Sequence, residues 1–224
     1  MFRFLALAGL AMTTLGSAAA LAQEATYFTV TYVEVGPILA RTATPPLRAF
    51  RDAGRKDRGN VSLEVLQRID RPNQFVVLGA WTDRNVFDAH STSEHAKKMY
   101  DKIATMLAAP NDTRQHTGLA VAPSQTVKGA IFAVTHVDVV PPQKDNAVAA
   151  LKQLAEDSRK HAGNLRFDVW QQTDRPNHFT VVEAWTNHGA FDVHEMQKPT
   201  KEFRTKLATM AGALYDERLY KALP

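Results

Sequence analysis

The sequence predicts an α+β protein in which two copies of a βαββαβ unit pack against each other inside one chain. Three observations predict it. First, the chain repeats itself: Asp70-Arg71-Pro72-Asn73-x-Phe75 returns as Asp174-Arg175-Pro176-Asn177-x-Phe179, and Ala80-Trp81-Thr82 as Ala184-Trp185-Thr186, always 104 positions later. Residues 27–120 align on 131–224 without a gap, with roughly one pair in three identical. Such internal periodicity sets the architecture before any single motif does. Second, strand-type and helix-type patterns follow in the same order in each copy. Third, the strands are apolar on both faces, so helices covering one face leave the other to be buried elsewhere.

The elements follow in order. Tyr27 to Val35 and Ile131 to Val140 are β-branched and aromatic runs that end at Pro37 and Pro141, as a first strand does. Val148, Leu151, Leu154 and Ala155 recur at helical spacing, and Leu47 and Phe50 keep the trend in the first copy, where Pro45-Pro46 is expected to open the helix. The helix should stop before Gly59 and Gly163. In the next strand Leu165, Phe167 and Val169 alternate with Arg166, Asp168 and Trp170. The Asp-Arg-Pro-Asn turn follows, with proline fixing φ while Asp and Asn bond locally to backbone. Phe75 to Trp81 and Phe179 to Trp185 return as strands. Helical stretches from about Asn85 and Gly189, broken near Ser91–Ser93 and Gln197–Pro199, precede last strands at Arg114–Val121 and Arg218–Leu223. The βαββαβ order is the ferredoxin-like arrangement. Two such sheets, each covering its twin, make a single-chain pseudo-dimeric α+β barrel, with an apolar space between sheet and helices or between the sheets.

The ends and joints read separately. Residues 1–22, with Arg3, an apolar stretch from Phe4 to Met12 and Ala20-Leu21-Ala22, read as a cleaved signal peptide. Residues 121–130 read as a linker between the repeats 27–120 and 131–224. The expected localisation is periplasmic or secreted, with no membrane span once the signal is removed, since no later segment is long and apolar enough. The absence of cysteine excludes disulfides, thiolate metal sites and a thiol nucleophile. A net charge of +4 is too mild and too evenly spread for a nucleic-acid footprint. No phosphate-binding or nucleophile-elbow motif occurs.

Gly-Asn ahead of a strand, the Asp-x-Pro-Asn-x-Phe turn, and Trp-x8-His with a Phe three residues before the His are together similar to the antibiotic biosynthesis monooxygenase (ABM) domain. Trp81 and His90, and Trp185 and His194, carry the spacing in both copies. The resemblance covers almost all of both repeats. It implies the dimeric α+β barrel and, for some members, oxygen insertion into quinol-like or polycyclic phenols without flavin or metal. A strand glutamate of the family falls on Glu183, whereas the first copy has Gly79. The asparagine that haem-degrading relatives use falls on Thr31 and Thr135, which counts against haem oxygenation.

A cofactor-free oxygenase needs a base, donors for a phenolate and an apolar chamber that excludes water. His90 and His194 are the base candidates, the alternative being helix-end histidines bonded to backbone. Glu183 shares a strand face with Phe179, Val181 and Trp185, where desolvation would raise its pKa; the alternative is a salt bridge. Trp81 and Trp185 read as core first and as stacking platforms second. Tyr32 and His136 occupy matched first-strand positions, Thr31 and Thr135 point the other way, and Trp170 stands opposite Leu66. Glu183, His136 and Trp170 make the second copy the chemically richer one and the expected seat of the pocket. No metal site and no cofactor are expected. Three readings stay open: a monooxygenase of a small aromatic or quinol substrate, a non-catalytic periplasmic binding module for a hydrophobic or aromatic molecule, and a scaffold with a filled core and no ligand. Each is open to further assembly as a homo-oligomer.

Overall fold

Each repeat folds in the order its pattern dictates, in a computed structural model that describes residues 25–125 and 127–223. The expected signal peptide, residues 1–22, lies outside the described residues. The first repeat runs β1 (Tyr27–Glu34), α1 (Ala40–Gly54), β2 (Asn60–Arg68), β3 (Gln74–Trp81), α2 (Arg84–Ser91), α3 (Glu94–Ile103) and β4 (Asp112–Ala120). The second runs β5 (Ile131–Asp138), α4 (Lys144–Ser158), β6 (Asn164–Gln172), β7 (His178–Trp185), α5 (His188–Glu195), α6 (Lys198–Ala208) and β8 (Asp216–Ala222). One expectation is corrected: Pro45 and Pro46 lie inside α1, which begins at Ala40. Their missing N–H groups forfeit helical bonds. The buried stripe of Ala43, Leu47 and Phe50 keeps the segment helical, because packing of one face outweighs local propensity.

The eight strands close into one antiparallel barrel in the order β1-β3-β2-β8-β5-β7-β6-β4. The last strand of each repeat makes the closure. β4 pairs with β1 of its own repeat and with β6 of the other; β8 pairs with β5 and with β2. Closure leaves no sheet edge to attract a foreign strand. The barrel interior is a single core drawn from both repeats, including Phe28, Val30, Leu78, Phe132, Val182 and Tyr220. Outside it, each repeat's helices pack on its own sheet and on the end of the other repeat's last strand, through Leu119 and Ala120 in one case and Leu223 in the other.

The motifs shared by the repeats are mostly structural. Gly59 and Gly163 have φ of 85° and 81°, a region that favours glycine. The side-chain amides of Asn73 and Asn177 donate to Val35 and Val139 carbonyls at 3.0 and 2.7 Å, tying each turn to the end of the first strand. A bulge between Asn164 and Arg166 puts Leu165 in the barrel core, while Phe167 and Val169 face the helices. No helix among the described residues is long and apolar enough to cross a membrane.

Candidate functional site

In each repeat the same two rings meet between sheet and helices. Strand alternation turns Trp81 and Trp185 outward from the barrel. The N-capping residues Asp83 and Asn187 start α2 and α5, which carry His90 and His194 back over the sheet. The Trp and His ring centroids are 4.5 Å apart in both repeats. Both histidines are buried. Burial lowers the pKa of His90 and pushes that of His194 down to about 3, so both rings are uncharged at neutral pH. Neither is held by backbone, the alternative left open by the sequence. His90 Nδ1 is 2.7 Å from Asp57 Oδ2, and His194 Nδ1 is 2.9 Å from His161 Nδ1.

The repeats differ in what accepts the indole proton. Trp185 Nε1 donates to Glu183 Oε2 at 2.9 Å. Trp81 Nε1 donates to Thr29 Oγ1 at 3.1 Å. Thr29 faces Gly79 across the β1–β3 ladder, and their counterparts Ala133 and Glu183 face each other across β5–β7. Glu183 is 2% exposed, and desolvation pushes its pKa up to about 8, with Glu217 and Glu195 adding to the rise. Its Oε2 lies 3.6 Å from His194 Nε2, a contact between two uncharged groups at neutral pH and not an ion pair.

A cavity of about 40 Å³ lies between sheet and helices of the first repeat, lined among others by Thr31, Trp81, His90, Met99, Tyr100 and Thr113. The second copy, where the sequence predicts the pocket, builds the matching wall differently. There Glu183 occupies the position of Gly79. Ser91, Tyr100 and Thr113 at the cavity wall become Glu195, Arg204 and Glu217, and Arg204 bonds both glutamates. Thr135 is fully buried and its hydroxyl has no hydrogen-bond partner. The cavity wall of the first repeat thus offers hydroxyls where the matching positions of the second carry Glu195, Arg204 and Glu217.

Three candidate residues stand on the opposite face of the sheet. Trp170 fills the barrel, stacked on Phe28 at 4.8 Å. Tyr32 sits between the guanidinium groups of Arg114 and Arg218, 5.0 and 5.2 Å from its ring. His136 lines a polar cleft of about 590 Å³ with Arg114, Asp138, Arg175 and His178. The sheet separates these three from Glu183, His194, Trp81, Trp185, His90, Thr31 and Thr135. The sequence reading passed over Thr29, Tyr100 and Thr113. Comparing the repeats position by position, Thr29 with Ala133 and Thr113 with Glu217, is the signal that would have found them.

A family model described as antibiotic biosynthesis monooxygenase matches residues 39–102 and 130–214, more than half of the chain. Over 86 residues the chain is 22% identical to "Putative monooxygenase YcnE" of Bacillus subtilis, spanning 38% of this chain and 90% of that protein. A crystal structure described as a "putative monooxygenase" from Fusobacterium nucleatum superposes with a TM-score of 0.79 at 14% identity, over 89% of this chain and 93% of the other. An anthrone oxidase-like protein superposes with a TM-score of 0.71 at 12% identity, over 91% and 93%. At these identities the structural likeness is one of fold.

Proposed function

Because the chain belongs to the antibiotic biosynthesis monooxygenase family, we propose that it is a cofactor-independent monooxygenase of a small aromatic or quinol substrate, working outside the cytoplasm. The observation that carries the proposal is the first-repeat cavity, where an uncharged, buried imidazole stands against an indole. His90 is the base, Trp81 the stacking platform, and Thr31, Thr113 and Tyr100 supply hydroxyls to the phenolate. Once deprotonated, the substrate transfers electrons to O2 and a C–O bond forms as a hydroperoxide. Loss of water from a CH2 carbon then leaves a carbonyl. One oxygen atom stays with the substrate, and the other departs with the two hydrogens. At about 40 Å³ the cavity is well below the roughly 300 Å³ or more of sites that hold drug-sized ligands. An aromatic ring therefore requires α2 and α3 to part at Ser91 and Tyr100.

Oxygen uptake by the purified protein with a panel of hydroquinones and anthrones, with and without added flavin, tests this reading. Flavin-independent uptake is expected, and His90→Ala should slow it by about 10²-fold or more. Strict flavin dependence contradicts the mechanism. Slowing by Glu183→Gln or His194→Ala, with His90→Ala unchanged, moves the activity to the second repeat. A binding module is the second reading, favoured by Gly79, which leaves no carboxyl on the sheet face of the cavity. Tryptophan quenching by the same compounds without oxygen uptake would select it. Export is tested by the mass of the protein's N-terminus after cell fractionation; a chain retaining residues 1–22 in the cytoplasm would refute it.

A further inference from the structure

Beside the cavity, three ligating side chains of the first repeat converge from three places in the chain. Asp57 lies in the turn after α1, His90 in the last turn of α2 and His95 in the first turn of α3. His90 Nδ1 is 2.7 Å and His95 Nε2 is 3.1 Å from the same atom, Asp57 Oδ2. The two nitrogens are 3.2 Å apart. A tetrahedral ion with bonds of about 2.0–2.1 Å holds its ligand atoms roughly 3.3–3.4 Å apart, so these three need to spread by only tenths of an ångström to form one face of its shell. We propose that Asp57, His90 and His95 bind a divalent transition-metal ion of the zinc class, with a fourth position open to solvent.

Surroundings and chemistry support the assignment. The fourth position has room, because Asp57, His90 and Ser93 line a cleft of about 430 Å³ that also includes Asp83 and Asn85. Ser93 Oγ, which caps α3, lies 2.9 Å from the same His95 Nε2, so its hydroxyl borders the ion's position and gives up that hydrogen bond when the metal binds. Two imidazoles and one carboxylate suit zinc, nickel or cobalt better than magnesium or calcium. The repeat supplies an internal contrast: the matching positions are His161, His194 and Pro199, with no carboxylate and no third donor. Another histidine pair shows what convergence excludes. Asp138 meets Nε2 of His178 at 3.5 Å while His136 meets its Nδ1 at 3.3 Å, so those donors lie on opposite sides of one ring. The site shares His90 with the oxygenase reading: ligation through Nδ1 leaves the proton on Nε2, so a metal-loaded His90 is not a base, and metal titration tests the site without reference to oxygen uptake.

The test is Zn²⁺ titration of chelator-stripped protein by calorimetry, with Co²⁺ as the spectroscopic probe. Wild type should bind one Zn²⁺ per chain and give Co²⁺ visible bands of tetrahedral intensity, while Mg²⁺ gives no heat. Losing a second-shell partner costs about 10–100-fold in metal affinity, so losing a ligand should cost at least that in both Asp57→Asn and His95→Ala. His178→Ala should leave the affinity unchanged. His95 and Asp57 are partly exposed, so both variants should fold; circular dichroism checks this, and His95→Gln replaces His95→Ala should the latter unfold. No Zn²⁺ binding by the wild type, equal affinity in the variants, or an effect confined to one of the two positions overturns the three-ligand site.

Discussion

At the scale of single residues, the second repeat stores two groups whose protonation opposes their ordinary behaviour. The pKa of Glu183 is pushed up from 4.5 to about 8 by burial, and that of His194 is pushed down from 6.5 to about 3. The signs follow by linkage. For Glu183 the folded value is the higher one, so its stabilising contribution is fully present below 4.5 and is lost as pH rises through 8. For His194 the folded value is the lower one, so its contribution is present above 6.5 and lost as pH falls toward 3. Glu183→Gln keeps the acceptor for Trp185 Nε1 but cannot ionise. Its melting temperature should match wild type near pH 4, exceed it increasingly between about pH 4.5 and 8, and keep a constant advantage above that, while the acid limb stays unchanged. Thermal unfolding across this range checks it, and parallel curves for the two proteins would refute the assigned shift. The face of Glu183 was legible from strand alternation alone. That its carboxyl serves an indole two residues away was not, because alternation specifies a face and not a partner.

At the scale of elements, the two repeats solve one problem with different strand pairs. A buried indole N–H requires an acceptor. The β1–β3 pair supplies it from Thr29 and keeps Gly79 small; the β5–β7 pair supplies it from Glu183 and keeps Ala133 small. A Cβ added at Gly79 would lie 2.5 Å from Trp81 Nε1 and 2.6 Å from Thr29 Oγ1. Gly79→Glu alone should therefore be strongly destabilising. Thr29→Ala alone should cost about 1–3 kcal/mol by stranding the indole N–H. The double variant should recover much of the loss, because it rebuilds the second repeat's arrangement. A double-mutant cycle on urea unfolding should give a coupling of about 1 kcal/mol or more; additive effects would break the equivalence. The double variant also places a side chain where the first-repeat cavity lies, so the proposed oxygen uptake should fall with it. Both pairs differ visibly in the sequence. Their exchange could be recognised only once register showed Thr29 opposite Gly79 and Ala133 opposite Glu183.

At the scale of the whole molecule, the duplication and the order of elements were legible, since periodicity and turn chemistry are local. The closure was not. Which strands meet at the seams depends on few contacts: β2 meets β8 only over Leu66–Arg68 and Tyr220–Ala222. Nothing local announces that Glu64 of one repeat will face Arg166 of the other inside the barrel. There Arg166 donates to Glu64 Oε2 at 2.8 Å and to Asp168 Oδ2 at 2.7 Å, with its guanidinium 5.4 Å from the Trp170 ring centroid. The first repeat has Ser62 in the matching place, so this ionic group is single and joins the two halves. Removing the cation alone strands the buried Asp168 carboxylate and the half-buried one of Glu64. Arg166→Met should then cost about 3–5 kcal/mol, whereas adding Glu64→Gln and Asp168→Asn should return most of it, because an uncharged set of similar volume is close to neutral. Urea unfolding followed by tryptophan fluorescence measures this. Since the barrel core is drawn from both repeats, each protein should unfold in one transition. A loss below 1 kcal/mol for Arg166→Met, or two separated transitions in wild type, would mean that the repeats do not depend on each other for stability.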